Sequence, residues 1–141
     1  DISEIVKGAL EGRYHPCGRC HKHMEEVIIK ATKERGISAI AFGDLLPTGS
    51  QTILIREGML RINLPSLLVL KKKDMKYLSN RVPGYESPGF GCPLLKEVHR
   101  LHPSKKFFTA HRVLREVRAG ILESNEGLSS LRSIFSHFER D

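Results

Sequence analysis

Cys17-Gly18-Arg19-Cys20 is a CxxC, and one further cysteine, Cys92, stands far downstream directly before Pro93. A CxxC at the mouth of a helix turns two sulfurs toward one centre. The partial positive charge and free N–H groups of a helix N-terminus there favour the thiolate. Proline suits the first position of a helix, so Cys92 is expected at a helix N-terminus as well. Three thiolates near unsatisfied N–H groups describe an anionic metal site with one position open. Zinc would take Cys17, Cys20 and Cys92 with His21 or His23 as a fourth ligand. An iron–sulfur cluster would use the three cysteines alone and leave one iron free. A redox pair, or half of a structural zinc site, is the competing reading of an isolated CxxC. Cys17 to His21 also spells CxxCH, the attachment motif of c-type haem, but no export signal accompanies it and Cys92 would have no role. His15, His99, His102, His111 and His137 show no ligand spacing, so solvated or hydrogen-bonding roles are expected for them.

The elements that must position these cysteines alternate between helical and extended. Asp1 and Glu4 have capping-box spacing, and Ile2, Ile5, Val6 and Leu10 follow at helical intervals until Gly12. After Tyr14-His15-Pro16 a longer helix is expected from about Gly18 to Arg35. Its apolar stripe is Met24, Val27, Ile28 and Ala31, and Gly36 is its left-handed cap. Ile37 to Phe42 reads as a buried parallel strand with Gly43 behind it. Thr52–Ile55 and Leu60–Leu64 read as extended segments around a turn at Glu57-Gly58. Lys71 to Arg81 reads as a helix with Met75 and Leu78 inward and Asp74 in its first turn. Val82 to Pro93, with three glycines and three prolines, is a loop. Helices are then expected from Pro93 to about Leu101, Phe107 to Leu122 and Leu128 to Glu139. The fold class is α/β: a partial parallel sheet with C-terminal helices, one domain over 1–141 whose helical extension covers 105–141.

A chain of 141 residues suits one domain, and 40% hydrophobic with 28% charged residues is a folded rather than a disordered composition. No apolar run approaches the roughly 18 residues of a membrane span. Leu64 to Leu70, the longest candidate, is strand-length and contains Pro65 and Ser66. No secretory signal is visible, and three cysteines are an odd number for a disulfide framework, so a cytoplasmic setting is expected. The first residue is Asp1 rather than methionine, which points to a fragment or a processed chain.

The order of these features resembles the C-terminal half of the PP-loop ATPase superfamily, especially the tRNA thiolation enzymes that make 2-thiocytidine or 2-thiouridine. A CxxC opens a helix; the strand Ala39-Ile40-Ala41-Phe42-Gly43-Asp44 follows; Arg61-Ile62-Asn63-Leu64-Pro65 leads to Lys72-Lys73-Asp74; a glycine-rich loop ends in Cys92. The resemblance covers roughly Tyr14 to Arg100. It implies a Rossmann-like sheet of the adenine nucleotide alpha hydrolase type, with Gly43 and Asp44 bordering the nucleotide. The family's usual residue after that glycine is histidine, and here it is Asp44. Cys17, Cys20 and Cys92 are similar to the family's ligands for a 4Fe-4S cluster with an open iron. In the resembled chemistry ATP, with magnesium, adenylates a base carbonyl and sulfur then displaces AMP.

The family's SGGxDS loop, which holds the pyrophosphate of ATP, does not occur in this sequence. Such loops work by presenting backbone N–H groups. The nearest substitute, Pro47-Thr48-Gly49-Ser50, has one glycine and a proline without an N–H. Either an N-terminal half or a partner chain supplies the phosphate site, or the function has drifted; a homodimer is a further alternative.

With 23 basic and 16 acidic residues the chain carries +7, which favours polyanionic partners, here tRNA. Lys71-Lys72-Lys73 and the row Arg112, Arg115, Arg118 are the densest candidates for phosphate contacts, with a solvated helix face as the alternative. Aromatic residues are few and scattered, so no base-stacking platform is expected. Beside the sulfur transferase, the alternatives are a zinc-stabilised RNA-binding module without catalysis and a protein-interaction fragment.

Overall fold

The structure, a computed structural model, describes residues 1–45, 52–84 and 91–136. Helix α1 (Ile2–Leu10) starts where the Asp1 carboxylate accepts the Ser3 N–H at 2.9 Å. Gly12, at φ +75°, ends the turn that follows, and the His102 ring lies so close that a side chain there would collide with it. Helix α2 (Pro16–Glu34) begins two residues before its expected start, with Pro16 at its first position and His15 as N-cap. Gly36, at φ +67°, closes it as expected.

Strand β1 (Ala39–Phe42) pairs in parallel with β3 (Met59–Asn63), in register Ala39 with Leu60 through Phe42 with Asn63. Strand β2 (Ile53–Arg56) pairs antiparallel with β3 through the tight turn at Glu57 and Gly58, both at positive φ. The spatial order is β1-β3-β2. The fold is thus mixed α/β around a small, partly parallel sheet. Residues 64–67, within an apolar run of strand length, instead form the short helix α3 (Leu64–Leu67) with Pro65 near its start.

Helix α4 (Lys72–Ser79) is capped by Asp74, whose Oδ2 accepts the Lys71 N–H at 2.8 Å. Helix α5 (Pro93–Leu101) has Cys92 as N-cap, and a 3-10 turn (Pro103–Lys105) leads into α6 (Lys106–Arg118) and then α7 (Ser124–Phe135). Around α5 the buried residues are Ala9, Leu95 and Val98, with His102 Nε2 donating to the Leu10 carbonyl at 2.8 Å to tie α5 to α1. Between α6 and α7, Val113, Leu122 and Ile134 form a second cluster with Val117, Leu131 and Phe135 against it.

Three burial expectations are corrected. The α2 stripe is turned outward, with Met24 and Val27 each 53% exposed and Ile28 also exposed. Strand β1 is parallel but alternates exposed and half-buried positions, and Ile53 and Ile55 of β2 are exposed too. Three short strands cannot cover a 19-residue helix, and the short α3 packs against β1 and β3. Helix α4 likewise buries nothing fully: Met75 is half-buried and Leu78 exposed. It is held by the Lys72 N–H to the Ile121 carbonyl (3.0 Å) and by the Lys72–Glu116 ion pair (3.0 Å).

Candidate metal centre

The first turn of α2 and the N-cap of α5 meet at one corner. Cys17 and Cys20 are half-buried there and Cys92 is exposed. The sulfurs are close enough to feel one another. Burial first, and then Cys92 and Cys20, push the Cys17 thiol up, against the opposing pull of the nearby Arg112 guanidinium. Burial and then Cys92 push Cys20 up. A CxxC tuned as a nucleophile or redox pair has a depressed thiol pKa, so this direction disfavours that use. Crowded thiols are what a cation relieves, because binding a metal deprotonates them and cancels their repulsion. As the side chains stand, no three His, Cys, Asp or Glu groups among the described residues are gathered tightly enough to hold a metal ion. The sulfurs are neighbours rather than a finished cage, but a three-thiol donor set is of the type that takes zinc or an iron–sulfur cluster.

Neither histidine weighed as a fourth ligand is set beside them. His21 Nε2 lies 2.9 Å from Asp44 Oδ1, and His23 lines a cleft of about 260 Å³ between α1 and α2 with Tyr14 and Arg19. The His21–Asp44 pair instead brings the end of β1, Gly43 and Asp44, beside the cysteine helix. Open space surrounds the Gly43 Cα on its side-chain side. Pro47 to Ser50 lies outside the described residues.

Behind the sulfurs is a polar cluster that the spacing of the histidines does not reveal. Thr109 of α6, 1% exposed, places its Oγ1 2.8 Å from His15 Nε2 and 2.8 Å from His99 Nε2. Burial, then Arg112 and Lys105, holds His15 below its usual range. His99 is pushed down to about 4, by burial first and then by His15 and Lys106. Both rings are therefore neutral near pH 7, and a hydroxyl can donate to one and accept from the other. The cluster locks α2, α5 and α6 together at the point where the thiols emerge.

Lys72 of α4 lies beside Arg112 of α6, because both reach Glu116. The charge of the basic candidates is partly spent. Lys72 and Arg112 both pair with Glu116, and Lys71 and Lys73 both reach Glu123 at 3.9 and 3.8 Å. Arg115 and Arg118 are exposed with no ion pair among the described residues. A separate cleft of about 570 Å³ between α2 and the β2–β3 hairpin is lined by self-paired charges, including Arg61 with Glu25 and Lys33 with Glu57.

No protein-family model matches the chain, and no solved structure matches it. Over 138 residues it is 38% identical to an uncharacterized protein of Methanocaldococcus jannaschii, an alignment covering 96% of this chain and 52% of the relative. The chain thus spans about half the length of the curated relative it matches. Among the described residues, no helix is long and apolar enough to cross a membrane.

Proposed function

We propose that this chain is the cysteine-bearing part of a cytoplasmic, ATP-dependent tRNA sulfur transferase of the PP-loop type. The observation that carries the reading is the meeting of Cys17, Cys20 and Cys92 at one corner, from two helix N-termini far apart in sequence. These thiols would hold a 4Fe-4S cluster, or zinc in a purely structural variant. A three-thiolate cluster supplies an iron open to a sulfur donor. The residues around it have defined tasks. His15, Thr109 and His99 fix the two helices that carry the sulfurs, α2 and α5, against α6. Arg112 offers a positive charge to anionic sulfur at Cys17. Asp44, held by His21, keeps the β1 end with Gly43 beside the cysteines, where the resemblance puts the nucleotide and magnesium. The parallel β1–β3 pair fits a Rossmann-like sheet continued by strands from an N-terminal half or partner chain that brings the phosphate loop. The exposed lysines and arginines supply charge for tRNA.

The test is nucleoside mass spectrometry of bulk tRNA from cells with and without the gene. Loss of one thiolated nucleoside, restored by the wild-type gene but not by a Cys92→Ser version, supports the reading. An unchanged nucleoside profile refutes it and favours the zinc-stabilised RNA-binding module.

A further inference from the structure

Helix α6 carries a stripe that its sequence does not advertise. Lys105 at its N-cap, then Phe108, Arg112 and Arg115, are spaced three, four and three residues apart, which puts all four on one helix face. Phe108 is 62% exposed, although it is a large aromatic ring in a chain with few of them. Lys105 Nζ sits 5.7 Å from the centre of that ring. The His15 ring lies 6.3 Å away with the planes 51° apart. His15 is itself pinned to the buried Thr109 hydroxyl, so the Phe108 ring rests against a fixed support. Along the same face Arg112 reaches Cys17. An aromatic ring flanked by cations, rigidly propped and bordering the thiols, is the combination that binds an unpaired nucleic-acid strand. The ring stacks a base while the cations meet the flanking phosphates.

We infer that Phe108 is the stacking platform for one unpaired RNA base, with Lys105 and Arg115 contacting the adjacent phosphates and Arg112 standing between the base and Cys17. This deepens the sulfur-transferase reading and rests on it for the choice of RNA. A base stacked on Phe108 lies at the edge of the cysteine corner, where a base to be modified has to be presented. The sequence offers no sign of this platform, because Phe108 has no aromatic neighbour in sequence except Phe107 and its support, His15, is brought to it by the fold.

The test uses the 141-residue chain and a single-stranded RNA of about eight nucleotides, within the usual site size of such surfaces. ATP, metal and sulfur donor are left out, so the outcome is independent of thiolation. Phe108→Ala should weaken binding by roughly 5- to 150-fold, the range expected for one lost base stack, without changing the salt slope. Arg115→Ala should lower that slope by about 0.7 instead. The chain has no tryptophan, so Phe108→Trp introduces a single fluorophore at the platform, and its emission should be quenched on adding the RNA. Wild-type affinity in Phe108→Ala, an unquenched F108W signal, or equal preference for a fully paired RNA duplex would each overturn the inference. So would the absence of RNA binding by the wild-type chain, which would leave the stripe to a protein partner. An unchanged tRNA nucleoside profile would instead remove the thiolation reading and leave this binding result standing.

Discussion

Acid should loosen this fold most strongly through His99. His99 is 8% exposed and faces Thr109 and Lys106 of α6 and His15 at the start of α2. Its pKa of about 4 in the folded chain compares with about 6.5 when unfolded. Between those values the unfolded chain takes up a proton that the folded chain refuses. Stability from this group is therefore complete above about pH 6.5, declines as pH falls toward 4 and changes no further below that. At about 1.4 kcal/mol per pH unit, the whole effect is worth about 3 kcal/mol. That is a large share of the 5–15 kcal/mol typical of a domain. Acid also protonates His15, which burial and then Arg112 hold below its usual range, Glu57, which Lys33 holds below the usual carboxylate range, and Glu97, which Arg100 holds there, so the total acid loss is not His99 alone. His99→Gln isolates the histidine, since glutamine can bond Thr109 without titrating. Urea unfolding at pH 7 and pH 4.5 should show the variant losing about 2–3 kcal/mol less than wild type over that interval. Equal losses in the two proteins, or an NMR titration of His99 near pH 6.5, would refute the reasoning.

Other outcomes follow from the same contacts. Thr109→Val keeps the shape but leaves two buried imidazole nitrogens without their hydroxyl, and should cost about 1–3 kcal/mol in denaturant unfolding. Gly127→Ala would set a methyl group 2.5 Å from Val117 Cγ2 where α7 crosses α6. Thermal unfolding should move down by several degrees, even though alanine is the better helix former by about 1 kcal/mol. The chain alone, having no SGGxDS loop, should bind ATP weakly or not at all, and micromolar affinity by calorimetry would show a phosphate site built from other residues.

What could be read in the sequence is what is signalled locally. Asp1, Gly36, the Glu57-Gly58 turn, Asp74 and Pro93 each act on the backbone within a few residues, and each marks an element end where expected. The placement of Cys17 near the start of α2 and of Cys92 at the N-cap of α5 was legible for the same reason, since Pro16 and Pro93 mark those two helix starts. Periodicity was less informative about burial. Met24, Val27 and Ile28 form a true apolar stripe, but spacing reports that a face is apolar, not that another element covers it. The short apolar run around Leu64 to Leu67 reads as strand or helix alike, and Pro65 tips it to a helical turn. The Thr109 cluster was invisible because His15 and Thr109 lie 94 positions apart and meet only through the packing of α2 on α6. Arg112 was legible as surface charge alone, since its contact with Cys17 comes from that same packing.

The central claim is that Cys17, Cys20 and Cys92 act as one metal-holding unit. Anaerobic purification followed by iron, zinc and sulfide analysis of wild type and of the three single Cys→Ser variants tests it most directly. The account predicts a brown wild-type protein with about four irons per chain, and loss of most of that iron in each variant, Cys92→Ser included. Metal-free wild-type protein, or iron retained in full by Cys92→Ser, would contradict it.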